Sequence, residues 1–140
     1  MSNRKLGEII RRQLPVTLPV TATVKEACRM MRDKRVGAIL VTESDGRLAG
    51  LFTGRDAVGR VVAEALDPAT TSLGAVMTGQ PDTLKPHASA IDALRMMQDG
   101  GYRHMPIMDG VKIAGIVSHG DFTGTEHARL DVETGFWEIL

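Results

Sequence analysis

The sequence predicts a mixed α+β fold built from two tandem β-α-β-β-α repeats, and three observations carry that reading. The first is internal repetition, which sets architecture before any local signal. Displacing the chain by 66 positions lays Pro15, Thr17, Leu18, Ala22, Ala27, Arg29, Met30, Met31 and Asp33 on Pro81, Thr83, Leu84, Ala88, Ala93, Arg95, Met96, Met97 and Asp99, nine identities in 19 positions. One deletion then shifts the register to 65, where Gly50, Thr53 and Asp56 meet Gly115, Ser118 and Asp121. The second observation is that each copy places an amphipathic stretch of helical period before two short apolar runs joined by a turn. The third is composition: 140 residues with 43% hydrophobic and 24% charged side chains suit one compact globular body.

Each element follows from its residues. A short extended piece opens each copy at 16–18 and 83–85. Thr23 and Ser89 are placed as helix N-caps, with Glu26 and Asp92 three residues on as capping-box partners. The helices run to about Lys34 and Gly100, and Val24, Ala27, Cys28 and Met31 form the core-facing stripe of the first. The paired methionines 30–31 and 96–97 read as core filling. Strands are expected at 38–42 and 48–53 around a turn at 43–47, and again at 105–108 and 112–118 around Asp109-Gly110. The first copy's closing helix, 56–66, stops at Asp67-Pro68. The expected organisation is a first repeat with its N-terminal segment over 1–66, a linker over 67–72, and a second repeat with an apolar tail over 73–140.

Charge narrows the function. Lys plus Arg equals Asp plus Glu at 17 each, so no global positive field favours nucleic acid. The chain opens on no long apolar segment, and the single cysteine, Cys28, cannot form an internal disulfide, so a cytoplasmic protein not bound to membrane is expected. Cys28 lies in an apolar helical stretch and reads as a packed core residue.

The strongest chemical signal stands at the exit of the last strand of each copy: Thr53-Gly54-Arg55-Asp56 and Ser118-His119-Gly120-Asp121. A hydroxyl followed three residues later by an acid is a capping box when it stands alone. Here it occurs twice at equivalent places, at strand-to-helix junctions where free amides and the helix dipole attract phosphate. A carboxylate there can accept hydrogen bonds from both hydroxyls of a ribose, and the Thr or Ser hydroxyl can bond sugar or phosphate.

On these residues the chain resembles the tandem pair of CBS domains, named for cystathionine β-synthase. The resemblance covers about residues 6–125 and rests on the repeat, on Gly50-Leu51-Phe52-Thr53 and Gly115-Ile116-Val117-Ser118, on the two aspartate ends, and on 102–109 as lead-in and first core strand. It implies a pseudo-two-fold pair of repeats with two clefts between them, binding an adenosine-containing ligand such as AMP, ADP, ATP or S-adenosylmethionine. No cofactor is required by this reading, a homodimer is the expected assembly, and a regulated protein partner is allowed. It also implies that Asp56 and Asp121 hold ribose, with Thr53 and Ser118 nearby. Val36, Gly37 and Ala38, and Tyr102, Met105 and Pro106, would border the adenine, with Thr17 and Thr83 as further contacts.

The basic pair Arg103-His104 matches a phosphate-contacting pair of the family, whereas the first copy has Gly37 and Ala38 there. The two sites are therefore expected to differ. The basic pair would serve the ligand whose ribose is held by Asp56, with Arg55 as an additional phosphate contact. The rival to a nucleotide-binding regulatory module is a dimerising adaptor that holds a protein partner and no nucleotide. A metalloenzyme built on His104, His119, Asp121 and His127 lacks metal-ligand spacing, and no nucleophile motif is present, so no enzyme is expected. The terminal cluster Phe136, Trp137, Ile139 and Leu140 is expected to pack, either on its own core or on a second subunit.

Overall fold

In the computed structural model, which describes residues 3–139 with side chains described through residue 132, the chain forms two compact units. One is Leu14–Pro81; the other joins the segment up to Gln13 with the chain from Asp82 onward. The division does not fall at the ends of the sequence repeats.

The Leu14–Pro81 unit carries β1 (Thr17–Pro19), α2 (Val24–Lys34), β2 (Ala38–Thr42), β3 (Leu48–Thr53), α3 (Gly54–Asp56), a π-helical run (Ala57–Val62), α4 (Leu73–Val76) and β4 (Thr78–Gly79). Its sheet order is β1-β2-β3-β4, with β1 parallel to β2 and the other pairs antiparallel. The other unit carries α1 (Leu6–Ile9), α5 (Ala90–Gly100), the antiparallel pair β5 (His104–Asp109) and β6 (Lys112–Ser118), a 3-10 turn (His119–Asp121) and α6 (Gly124–Ile139).

Thr23 and Ser89 cap their helices as the sequence predicts, and the reciprocal capping box is formed at Ser89. The Thr23 hydroxyl accepts the Glu26 amide at 3.1 Å, and Ser89 and Asp92 form a reciprocal capping box. α2 ends on Arg35 and α5 on Gly101, both in the left-handed region, with φ of 55° and 71°. Val24, Ala27 and Met31 are buried; Cys28 is half-buried, and burial pushes its thiol pKa up.

Two expectations are corrected. Residues 83–85 form no strand: Leu84 alone bridges Ile107. In the first copy the Leu40 amide donates to the Val16 carbonyl at 3.0 Å, but the equivalent of Leu40 in β5 is Pro106, which has no amide to donate. The closing helix of the first copy begins at Gly54, runs as a π-helix to Val62 and ends before Ala65, which has a φ of 55°. In the second copy the chain breaks at Phe122, in extended conformation, and restarts as α6 under a second cap: Thr123 Oγ1 accepts the Glu126 amide at 3.2 Å while Glu126 accepts the Thr123 amide at 2.8 Å. The cluster Phe136, Trp137, Ile139 and Leu140 lies outside the residues whose side chains are described.

The unit boundaries come from an exchange of leading segments. Leu6-Gly7 and Leu73-Gly74 are equivalent at a displacement of 67, and each precedes its own repeat but packs on the other. The Leu73 and Gly74 amides donate to Ala22 and Val20 carbonyls at 2.8 and 3.0 Å; those of Leu6 and Gly7 donate to Ala88 and Pro86, both at 2.9 Å. Leu6 and Leu73 are fully buried, which stabilises each docking by about 1.5–3 kcal/mol. The seats are two glycines. A Cβ on Gly50 would stand 2.5 Å from the Thr78 carbonyl oxygen, and one on Gly115 would stand 2.9 Å from Ile10 Cβ. The Gln13 side-chain amide then bonds both the amide and the carbonyl of Ile116, each at 2.6 Å, in the manner of a neighbouring strand.

Gly50→Ala and Gly115→Ala should each lower unfolding free energy by about 1–3 kcal/mol in urea titrations, because backbone or a packed side chain must shift. Gly59→Ala, where a Cβ meets nothing within 4 Å, should be neutral or slightly stabilising.

Candidate functional site

The two hydroxyl-x-x-aspartate ends stand at equivalent junctions. The Gly54 amide donates to the Gly37 carbonyl at 3.2 Å, and the His119 amide donates to the Arg103 carbonyl at 2.8 Å. Ala38 faces Thr53 across its hairpin as His104 faces Ser118. The strand exits thus share their backbone bonding, and the two copies differ there in side chains before their backbones part after Asp56 and Asp121.

At the first end Asp56 is buried, with 9% of its surface accessible. Its carboxylate accepts the Thr53 amide at 3.0 Å, the Thr53 hydroxyl at 3.2 Å and the Thr78 hydroxyl at 3.3 Å, and lies 3.5 Å from Arg60 Nε. The Arg60 guanidinium also donates to the Met77 carbonyl at 2.9 Å. Arg55 is exposed.

At the second end Asp121 is exposed and accepts the Ser118 amide at 2.7 Å. Around it the second copy has exchanged small and apolar residues for basic ones. Arg103, His104 and His119 replace Gly37, Ala38 and Gly54, and His127 replaces Val62. Arg103 donates to His119 Nδ1 at 3.2 Å, which requires that nitrogen unprotonated, and the His119 and His127 rings lie 4.4 Å apart at 47°. Phe122 meets His127 edge-on. Burial holds the His104 pKa below its ordinary value, with Arg103 adding and Asp121 opposing. His119 is lowered by burial, then by Arg103 and His127. Arg4, from the leading segment, bonds the Asp121 carbonyl at 3.2 Å and pairs with Glu126 at 2.7 Å, which lowers the Glu126 pKa.

The remaining predicted residues are distributed unevenly. Thr17 and Thr83 are exposed, Val36 and Gly37 are exposed beside the buried Ala38, and Met105 and Pro106 are buried, Met105 in the core. The Tyr102 hydroxyl donates to Asp82 at 2.8 Å; burial, then this bond, raises its pKa, and its ring lies where a Cβ on Gly100 would fall. Missing from the sequence reading were Thr78 and Arg60 at Asp56, and an open pocket of about 420 Å³ lined by Asn3, Arg4, Ile91, Thr123, Glu126 and Arg129 among others. The Thr123-x-x-Glu126 spacing was a signal for the cap beside that pocket.

Such a duplicated strand-hairpin-helix unit, with an acid at each strand exit, defines a tandem small-domain pair. The CBS domain family model matches residues 6–63 and 73–125, and the chain belongs to that family. It is 35% identical over 108 residues to CBSCBSPB3 of Arabidopsis thaliana, a match covering 77% of this chain and 19% of that protein, so the chain spans about a fifth of that relative. It is 35% identical to YlbB of Bacillus subtilis over 79% of this chain and 74% of YlbB. The CBS domain protein PAE2072 of Pyrobaculum aerophilum, solved in complex with AMP, superposes with a TM-score of 0.82 at 25% identity, covering 91% of this chain and 98% of that one. No helix among the described residues is long and apolar enough to cross a membrane.

The imidazoles make stability pH-dependent. In the unfolded chain His104 and His119 take up a proton near pH 6.5, whereas the folded chain does so only at lower pH, so stability is present above 6.5 and is lost as pH falls through the folded values. The urea midpoint should therefore fall between pH 7 and 5, and a His104→Gln/His119→Gln variant should show a flatter profile there. The Glu126 contribution, present above 4.5, is lost only on further acidification.

Proposed function

We propose that the chain is a regulatory module that binds an adenosine-containing nucleotide, of the class AMP, ADP, ATP or S-adenosylmethionine, and passes its occupancy to a partner. The observation that carries this reading is the exposed Asp121 carboxylate at the exit of β6, with Arg103, His104, His119 and His127 gathered in the same unit. A ribose diol donates two hydrogen bonds to such a carboxylate, and the Ser118 hydroxyl lies beside it. Arg103 and the imidazoles offer the positive charge and N–H donors that a phosphate accepts. AMP in the PAE2072 complex supports the adenine nucleotide class.

This assigns Arg103 and His104 to the same nucleotide as Asp121, and not to the one the sequence expectation gave to Asp56. Val36, Gly37, Ala38 and Tyr102 remain candidates for adenine contact. The partner is a second copy or another protein. Val58 and Val62, 65% and 71% exposed one turn apart, supply apolar surface for such an association, and they equally support the adaptor reading. The free thiol of Cys28 fits a reducing compartment such as the cytoplasm.

Thermal unfolding against AMP, ADP, ATP and S-adenosylmethionine tests the proposal. A ligand at 100 times its Kd should add about 2.7 kcal/mol of stability. Asp121→Ala should abolish the gain. Arg103→Ala should weaken AMP about tenfold or more while leaving adenosine binding unchanged, since bonds to charged groups contribute about 1.5–3 kcal/mol. No gain with any of the four, together with concentration-dependent association in light scattering, would establish the adaptor reading instead.

A further inference from the structure

We propose that Arg60 and Thr78 occupy the aspartate of the first repeat, so that Asp56 secures the chain's own β4 segment and only the second repeat's aspartate is open to a nucleoside. The proposal rests on the reading of the hydroxyl-x-x-aspartate end as a diol-binding element.

A carboxylate offers about four lone-pair positions. At Asp56 three donors and one cation converge: the Thr53 amide, the Thr53 hydroxyl and the Thr78 hydroxyl donate hydrogen bonds, and Arg60 Nε forms an ion pair at 3.5 Å. The first two belong to the helix cap and would persist beside a ligand. The other two come from outside the motif and take up the carboxylate's remaining capacity, which a ribose diol would need. Asp56 is buried beneath them, whereas Asp121 is exposed.

Both outside donors tie down the same segment. Thr78 is the first residue of β4, paired with Leu51, and Arg60 also holds the carbonyl of Met77, the residue before it. Asp56 is thus a positioning residue for the exchanged strand. Sequence equivalence explains why the second copy is not closed in this way: Thr125 stands at the position of Arg60, and Arg11 at that of Thr78. Arg4, the cation that the leading segment does bring near, bonds the Asp121 backbone carbonyl and the Glu126 carboxylate.

Calorimetric titration of AMP into the full chain tests this. Wild type should bind one AMP per chain, and Asp56→Asn should retain that stoichiometry with affinity within about twofold, because no ligand depends on Asp56. The same variant, and Arg60→Gln, should raise amide exchange at Thr78 and Gly79 at least tenfold, a readout that a pure helix cap would not move. Arg60→Ala combined with Thr78→Val, confirmed as folded by circular dichroism, should gain one additional AMP site relative to wild type; if that variant does not fold, the amide exchange of Asp56→Asn decides. Two equal sites in wild type, loss of AMP binding in Asp56→Asn, unchanged exchange at Thr78 and Gly79, or a folded double variant that gains no site would each overturn the proposal. If wild type binds no AMP at all, the reading of the second repeat fails by itself, and the closure of the first is judged by whether the double variant gains a site.

Discussion

The close approach of the leading segments to Gly50 and Gly115 is the constraint on which the rest of the structure depends. At both places a leading segment lies against the last strand of the hairpin at a distance that a single methyl group would prevent. Because the segment docks there, Leu6 and Leu73 enter cores belonging to the other repeat, and each hydrophobic cluster is assembled from stretches far apart in sequence. The same docking brings Thr78 to Asp56 and Arg4 to the Asp121 backbone and Glu126. The surroundings of each aspartate are therefore determined by a segment from the neighbouring repeat.

Much of the fold was legible because it is local. Thr23 and Ser89 cap the helices they precede, α2 buries the stripe its spacing defines, and both hairpins turn where glycine and aspartate cluster. The exchange was not legible, since equivalence of Leu6-Gly7 with Leu73-Gly74 reveals a shared environment without saying which copy provides it. One residue suppressed the second opening strand: Pro106 withholds the amide that Leu40 gives. At the candidate site the hydroxyl-x-x-aspartate spacing was legible twice, but its two settings were not. Arg60 and Thr78 lie 4 and 22 positions from Asp56, and nothing in the motif points to them.

The two ends show how a duplicated scaffold separates roles while keeping the same strand exit. The same amide-to-carbonyl closure joins Gly54 to Gly37 and His119 to Arg103, so the strand exits superpose in their bonding. In the first copy the surrounding positions are glycine, alanine and valine, and the acid is satisfied internally. In the second they are arginine and histidine, and a competing cap at Thr123 and Glu126 ends the turn just after Asp121. That interruption keeps Asp121 out of a continuous helix and leaves it exposed.

The exchanged segments also impose an order of assembly. The Leu14–Pro81 unit is contiguous, so every one of its partners has been synthesised once Pro81 is in place. The other unit is not: Arg4 must find Glu126 across 122 positions and Gln13 must find Ile116 across 103. Closing loops of that length costs chain entropy before any contact is gained, and contacts so distant in sequence slow folding. During synthesis the leading helix with its buried Leu6 must wait, apolar face uncovered, while the intervening unit folds and the ribosome completes the hairpin that will receive it.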